Sequence, residues 1–127
     1  MKMNPLGQLP FLTHGNIKIG ESSAILLYLV EKFEALPKSL MGETKEQRAK
    51  VNQYLSWYQY SYRPALFKLI LIKIYGKLRK GTDFEQFQIK SANRQMTEAI
   101  KLLDQLLAGR NYIATENLTI ADLLFYF

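Results

Sequence analysis

The sequence predicts an α+β chain that is mostly α: a small β-hairpin and one apolar helix, then an all-helical stretch. Three observations carry this. Pro10-Phe11-Leu12-Thr13 and Ile17-Lys18-Ile19 flank the turn tripeptide His14-Gly15-Asn16, the pattern of a hairpin. Val51, Leu55, Tyr58, Tyr62, Ala65, Leu69 and Ile72 recur at steps of 4, 3, 4, 3, 4 and 3, one apolar stripe along a helix. Between the two lies a stretch without periodicity that begins at Leu36-Pro37 and ends at Thr44.

Taken in order, Pro10 lacks an amide N–H and belongs at the start or edge of a strand. Ser22 to Phe33 reads as a helix with apolar residues on nearly every face, which predicts burial between other elements. Ser22 and Ser23 are its N-cap candidates. The striped helix runs from about Lys45 to Gly76, and Pro64 inside it removes the amide that would bond the Tyr60 carbonyl, so a kink is expected there. A turn at Arg79-Lys80-Gly81-Thr82 leads to a helix from about Asp83 to Ala108, with Ala92, Met96, Ala99, Leu103 and Leu106 on one face and Gly109 as its stop. Leu118-Thr119-Ile120-Ala121-Asp122-Leu123 fits a reciprocal cap, with Thr119 as N-cap, Asp122 at N3, and Leu118 and Leu123 as a hydrophobic staple.

Composition narrows the chemistry. The 127 residues hold 17 Lys+Arg against 11 Asp+Glu, a net charge of +6. Cysteine is absent and His14 is the only histidine, so the chain has no disulfide, thiolate metal site, cysteine nucleophile or histidine-rich metal site of its own. The longest apolar run, Ala24 to Val30, is far below the roughly 18 residues of a membrane span, and the N-terminus does not suit a signal peptide. A soluble, intracellular, moderately basic globular chain is expected. From Lys68 to Lys80 there are five basic residues and no acid. This reads as a solvated helix end whose cations favour the dipole, or as a contact for RNA or an anionic protein. His14, in the hairpin turn, is expected to be exposed and inert.

The candidate chemistry lies at two points. A Pro opening an edge strand, as at Leu9-Pro10, can follow a cis peptide and leave the preceding residue's N–H and C=O outward, able to pair with an extended peptide. About a dozen residues later a helix N-terminus offers N–H groups to a carboxylate, and Glu21 beside it can take an ammonium group. Together these suit a small zwitterionic peptide. The plainer alternative is that Pro10 starts a strand and Ser22 merely caps a helix.

Asn4-Pro5-Leu6-Gly7-Gln8-Leu9-Pro10-Phe11-Leu12, followed by Ile17-Lys18-Ile19-Gly20-Glu21-Ser22-Ser23-Ala24-Ile25, closely resembles the second half of the thioredoxin-like domain of cytosolic glutathione S-transferases. Tyr54-Leu55-Ser56-Trp57, then Tyr62-Arg63, resembles the first long helix of their all-α domain, nearest to the theta class. Leu118-Thr119-Ile120-Ala121-Asp122 resembles the family's capping box. The resemblance implies a partial thioredoxin-like domain over 1–35 (hairpin plus helix), a linker over 36–44, and part of the all-helical domain over 45–127. It also implies a site: Leu9, before a cis-Pro10, bonds the cysteinyl backbone of glutathione through its main chain. Glu21 and Ser22 hold the γ-glutamyl ammonium and carboxylate, with the Ser23 amide close by, and Gln8 reaches toward a polar end of the tripeptide. Arg63 matches an arginine bordering the active site, although Pro64 departs from what usually follows. Thr119 and Asp122 are a structural cap.

One departure matters for activity. In this family a hydroxyl or cysteine near the first strand–helix unit stabilises the thiolate that reacts. That β-α-β unit, roughly 30 residues, is not in a chain that begins Met1-Lys2-Met3-Asn4. No residue is therefore assigned a catalytic role, and the chain is expected to be a partial, inactive form. Tyr58, Tyr60 and Tyr62 read as core or interface aromatics. The whole protein is expected to be a cytoplasmic homodimer that conjugates glutathione to small electrophiles, or reduces peroxides with it. It would use glutathione as co-substrate and no metal, and make no membrane or nucleic-acid contact. The alternative is a non-catalytic interaction module of the same fold in a translation-type assembly.

Overall fold

The computed structural model describes residues 4–78 and 86–126. It is mostly helical with one two-stranded sheet, the expected class. Strands β1 (Phe11–His14) and β2 (Ile17–Gly20) pair antiparallel, with Phe11 opposite Gly20 and His14 opposite Ile17. The loop is thus two residues, Gly15 and Asn16, and Gly15 at φ +58° supplies the positive φ that so short a hairpin loop needs. His14 ends a strand instead of lying in the turn. Its Nδ1 is 2.8 Å from the Tyr28 hydroxyl and its ring stacks on Phe33 at 5.8 Å. Exposed it is, but not inert: it ties the closed end of the hairpin to the following helix.

That helix, α1 (Ser22–Lys32), is capped by Glu21 and not by a serine. Glu21 adopts φ +66° and ψ 118°, which turns the chain so sharply that Ser22 is already the first helical residue, and the Glu21 carbonyl accepts the Ile25 N–H at 3.0 Å. At the other end Lys38 Nζ donates to the carbonyls of Val30 and Glu31, a cation on the last carbonyls of a helix. The burial expected for this apolar helix is only partly met. Val30 is buried while 22–29 are half-buried, because the hairpin and the last helix cover some of its faces and leave others open.

The stretch 36–44 is more built than its composition suggests. A 3-10 turn (Lys38–Met41) leads to Gly42 at φ +92°. A Cβ on Gly42 would stand 2.7 Å from the Arg48 backbone nitrogen, so glycine is required there twice over. Thr44 and Gln47 form a reciprocal capping box: Gln47 N–H donates to Thr44 Oγ1 and Thr44 N–H to Gln47 Oε1, both at 3.2 Å. Arg48 Nη1 donates to the Gly42 and Glu43 carbonyls at 3.1 and 2.8 Å.

The long striped helix is three segments: α2 (Lys45–Trp57), a π turn (Tyr58–Tyr62) and α3 (Arg63–Leu78). A π turn stands just before Pro64, and in it the Arg63 N–H reaches back five residues to the Tyr58 carbonyl. A π turn is one of the places where a helix bends, and Pro64 follows it as the second residue of α3. Helix α4 spans Gln86–Leu107; the expected start at Asp83 and the turn at 79–82 lie outside the described residues. Gly109 at φ +72° follows it, with the Arg110 N–H on the Leu107 carbonyl at 2.9 Å. Helix α5 is Ile120–Tyr126.

These elements gather into two compact units, one formed by the chain up to Leu55 and from Tyr112 onward, the other by Ser56–Asn111. In the first, Val30, Val51, Leu55, Ile113, Ile120 and Leu124 are buried. In the second, Leu69 and Ile72 of α3 close on Ala92 of α4, with Ile89 and Met96 against them. Among the described residues no helix is long and apolar enough to cross a membrane.

Candidate functional site

The strand register decides what the first unit can present. Phe11 faces Gly20 across the ladder, so the chain enters the hairpin's open end from Leu9-Pro10 and leaves it into Glu21-Ser22.

On one side, the Leu9–Pro10 peptide is cis and Leu9 is 81% exposed. Gln8 is exposed as well. The loop leading to them is held by Asn4, whose Nδ2 donates to the Gln8 carbonyl at 2.8 Å and whose Oδ1 accepts the Gly7 N–H at 3.1 Å. Gly7 at φ +66° makes that turn possible. The Leu6 side chain comes within 3.4 Å of where a Cβ on Gly20 would lie, which seats the loop against the second strand.

On the other side, Glu21 is exposed and a non-glycine residue at positive φ, a conformation that costs about 1–3 kcal/mol and collects at ligand sites. It leads into an 11-residue helix whose half-buried first residues are Ser22 and Ser23. The opening turn of a helix aims N–H groups and the positive end of the dipole outward. A carboxylate side chain and a helix mouth follow β2, and a cis peptide with an exposed Leu9 precedes β1; groups of these kinds can meet an ammonium, a carboxylate and a peptide unit.

The remaining candidates have other neighbours. Arg63 belongs to the second unit, where its guanidinium carbon lies 5.4 Å from the Phe67 ring centre. In that unit Tyr62 is 8% exposed and Tyr60 85%. Burial, with Tyr58 adding to it, pushes the Tyr62 hydroxyl above the usual tyrosine range. A cavity of about 440 Å³ in the same unit is lined by residues including Trp57, Tyr60, Tyr62, Lys68 and Gln95, with Lys68 Nζ 3.3 Å from Gln95 Oε1.

Asp122 is bound up in structure. Its Oδ2 accepts the Thr119 N–H at 2.8 Å and the Thr119 hydroxyl at 2.9 Å, and its Oδ1 accepts the Ile113 N–H at 2.7 Å. Among the described residues no group of three or more His, Cys, Asp or Glu could hold a metal ion.

Sequence reasoning passed over Asn4 as a site residue and over the Thr44–Gln47 box. Both had a signal: Asn-Pro with a glycine three residues on marks a turn, and Thr-x-x-Gln before a helix is a capping box.

Two family models match the chain: "Glutathione S-transferase, N-terminal domain" over residues 1–31, and "Glutathione S-transferase, C-terminal domain" over 65–127. The chain is 32% identical to Glutathione S-transferase F10 of Arabidopsis thaliana over 97% of its own length and 57% of that protein's. It is 30% identical to human Glutathione S-transferase theta-2B over 98% of its own length and 50% of the other's. The crystal structure of human glutathione transferase theta-2, in complex with glutathione and an unknown ligand, superposes with a TM-score of 0.87 at 30% identity, covering 98% of this chain and 51% of that one. The chain thus spans about half the length of the curated relatives it matches.

Proposed function

The chain belongs to the glutathione S-transferase family, with theta-class members among its relatives, and from that premise we propose that the open end of its hairpin holds glutathione for transfer to an electrophile or for peroxide reduction. One observation supports the reading: Phe11 pairs with Gly20, and Leu9-Pro10 precedes the one while Glu21-Ser22 follows the other. In the proposed pose the cysteinyl unit adds to the edge at Leu9 as a short antiparallel strand. The γ-glutamyl carboxylate takes the Ser22 hydroxyl and the helix N–H groups, the Ser23 amide among them. The γ-glutamyl ammonium faces the Glu21 carboxylate, and Gln8 meets a polar end of the tripeptide.

The reaction requires the thiolate, whose sulfur forms the new bond to the electrophile as the leaving group departs and the thiol proton passes to a base. No residue of this chain is assigned that base or thiolate-holding role, so the 127 residues are proposed to bind glutathione without turning it over. We propose domains over 1–35 and 45–127 joined by 36–44, and a cytoplasmic homodimer for the whole protein.

The test is calorimetric titration of the chain with reduced glutathione, beside a conjugation assay with a chloronitrobenzene. Weak binding that Ser22→Ala and Glu21→Ala each reduce about tenfold, without conjugation, supports the reading. Binding that neither substitution changes overturns the site, and conjugation by the chain overturns the claim that it lacks the thiolate-holding group. Absence of any binding favours the interaction-module alternative.

A further inference from the structure

We propose that Asn4 is a positioning residue for the site: its carboxamide sets the direction of the Leu9 N–H by holding the carbonyl of the same peptide unit. This rests on the glutathione reading above and deepens it.

The argument is geometric. The Gln8 C=O and the Leu9 N–H belong to one peptide plane, and in a trans peptide they point to opposite sides of the chain. The cis bond at this edge is the next one, Leu9–Pro10, so the Gln8–Leu9 unit is trans. Asn4 Nδ2 holds the Gln8 carbonyl at 2.8 Å. Turning that carbonyl toward Asn4 therefore turns the Leu9 N–H the other way, away from the loop. The same side chain helps close the loop, because Oδ1 accepts the Gly7 N–H at 3.1 Å, beside the Asn4 carbonyl that accepts it at 3.3 Å. Asn4 is half-buried while Gln8 and Leu9 are exposed, so the clamp sits behind the two residues it aims.

The two arms of the carboxamide donate to the Gln8 carbonyl and accept from the Gly7 amide at once. Aspartate keeps the acceptor and loses the donor. The substitution Asn4→Asp consequently separates the two tasks: it preserves the Gly7 bond that shapes the loop and removes the Gln8 bond that aims Leu9. Without that bond the Gln8–Leu9 peptide plane is free to rotate, and an extended ligand meets an amide that no longer points at it.

The experiment follows backbone amide signals of the isotopically labelled 127-residue chain during titration with reduced glutathione. It compares the wild type with Asn4→Asp, and with Asn4→Ala, which loses both bonds. In the wild type, glutathione is expected to move the Leu9, Ser22 and Ser23 amides together. In Asn4→Asp the amides of α1 are expected to stay where they were before ligand is added. Saturating glutathione should still move Ser22 and Ser23, the Leu9 response should vanish, and affinity should fall about tenfold. Asn4→Ala should show the same loss of response at Leu9 with the Gly7 amide displaced as well.

A Leu9 response and an affinity that persist in both variants while the wild type binds overturn this proposal alone. A wild type whose Leu9, Ser22 and Ser23 amides do not respond overturns the glutathione reading, and this inference with it. Should Asn4→Ala unfold, Asn4→Asp still decides, because it retains the bond that forms the loop.

Discussion

Both units have an apolar core, but the loops of the first and the long helices of the second are fixed by different kinds of interaction. In the first, the irregular segments are fixed by side chains that reach back to nearby backbone: Asn4 to Gln8, Lys38 to the end of α1, Gln47 and Arg48 to the 42–44 turn, and Asp122 to Ile113 and Thr119. In the second, two long helices close on an apolar seam of Leu69, Ile72 and Ala92. The difference is functional. A ligand that meets main chain needs loops with defined directions, and single hydrogen bonds from side chains supply direction where apolar packing supplies only proximity.

The contrast can be broken by substitution. The largest effect is expected from Gly42→Ala, where the new Cβ meets the Arg48 nitrogen and the Gln47 backbone in a positive-φ position. The expected loss is about 4 kcal/mol of stability, read by denaturant unfolding, with amide exchange raised first in α1 and the start of α2. Next is Leu69→Ala, at 2% exposure, costing about 3 kcal/mol and raising exchange first in α3 and α4. If both variants raise exchange uniformly along the chain, the division into two differently built units is wrong.

Asp122→Ala removes the acceptor for two backbone amides and a hydroxyl. About 2–3 kcal/mol is expected to go with it, with the Ile113 amide losing protection before α4 does. Loss of the Ile113 signal's protection together with that of α4 would show that Asp122 acts on the whole fold.

The smallest effect belongs to Tyr62. Its hydroxyl titrates above the ordinary value near 10 because it is buried. The folded state therefore keeps that proton to higher pH than the unfolded chain does. The stability linked to it is full below the ordinary value and lost as pH rises through the folded one. Tyr62→Phe should flatten the alkaline fall in melting temperature and leave the neutral value within a few degrees. An unchanged alkaline slope would place the titrating group elsewhere.

How much of this is legible in the sequence follows the same line. The seam of the second unit is a periodic pattern, and Leu69, Ile72 and Ala92 stand in the stripes read from spacing alone. The π turn is not legible, because Pro64 announces that a bond is lost but not how the turn before it absorbs the loss. In the first unit the hairpin is readable from Gly15-Asn16 between apolar runs, yet the register is not, and the register is what sets Phe11 opposite Gly20 at the open end. The place of His14 is hidden for a related reason: a two-residue loop puts it at a strand end, against Tyr28 and Phe33. Asn4 stands in the Asn-Pro turn before the hairpin, and only the two ends of its carboxamide, on Gly7 and Gln8, show what it does.

The central claim is that one ligand spans both sides of the hairpin's open end, and intermolecular nuclear Overhauser contacts test it most directly. With reduced glutathione bound to the chain, contacts are expected from the cysteinyl α-proton to the Leu9 amide and from the γ-glutamyl protons to the Ser22 and Ser23 amides. Contacts from bound glutathione that involve neither segment would contradict the account.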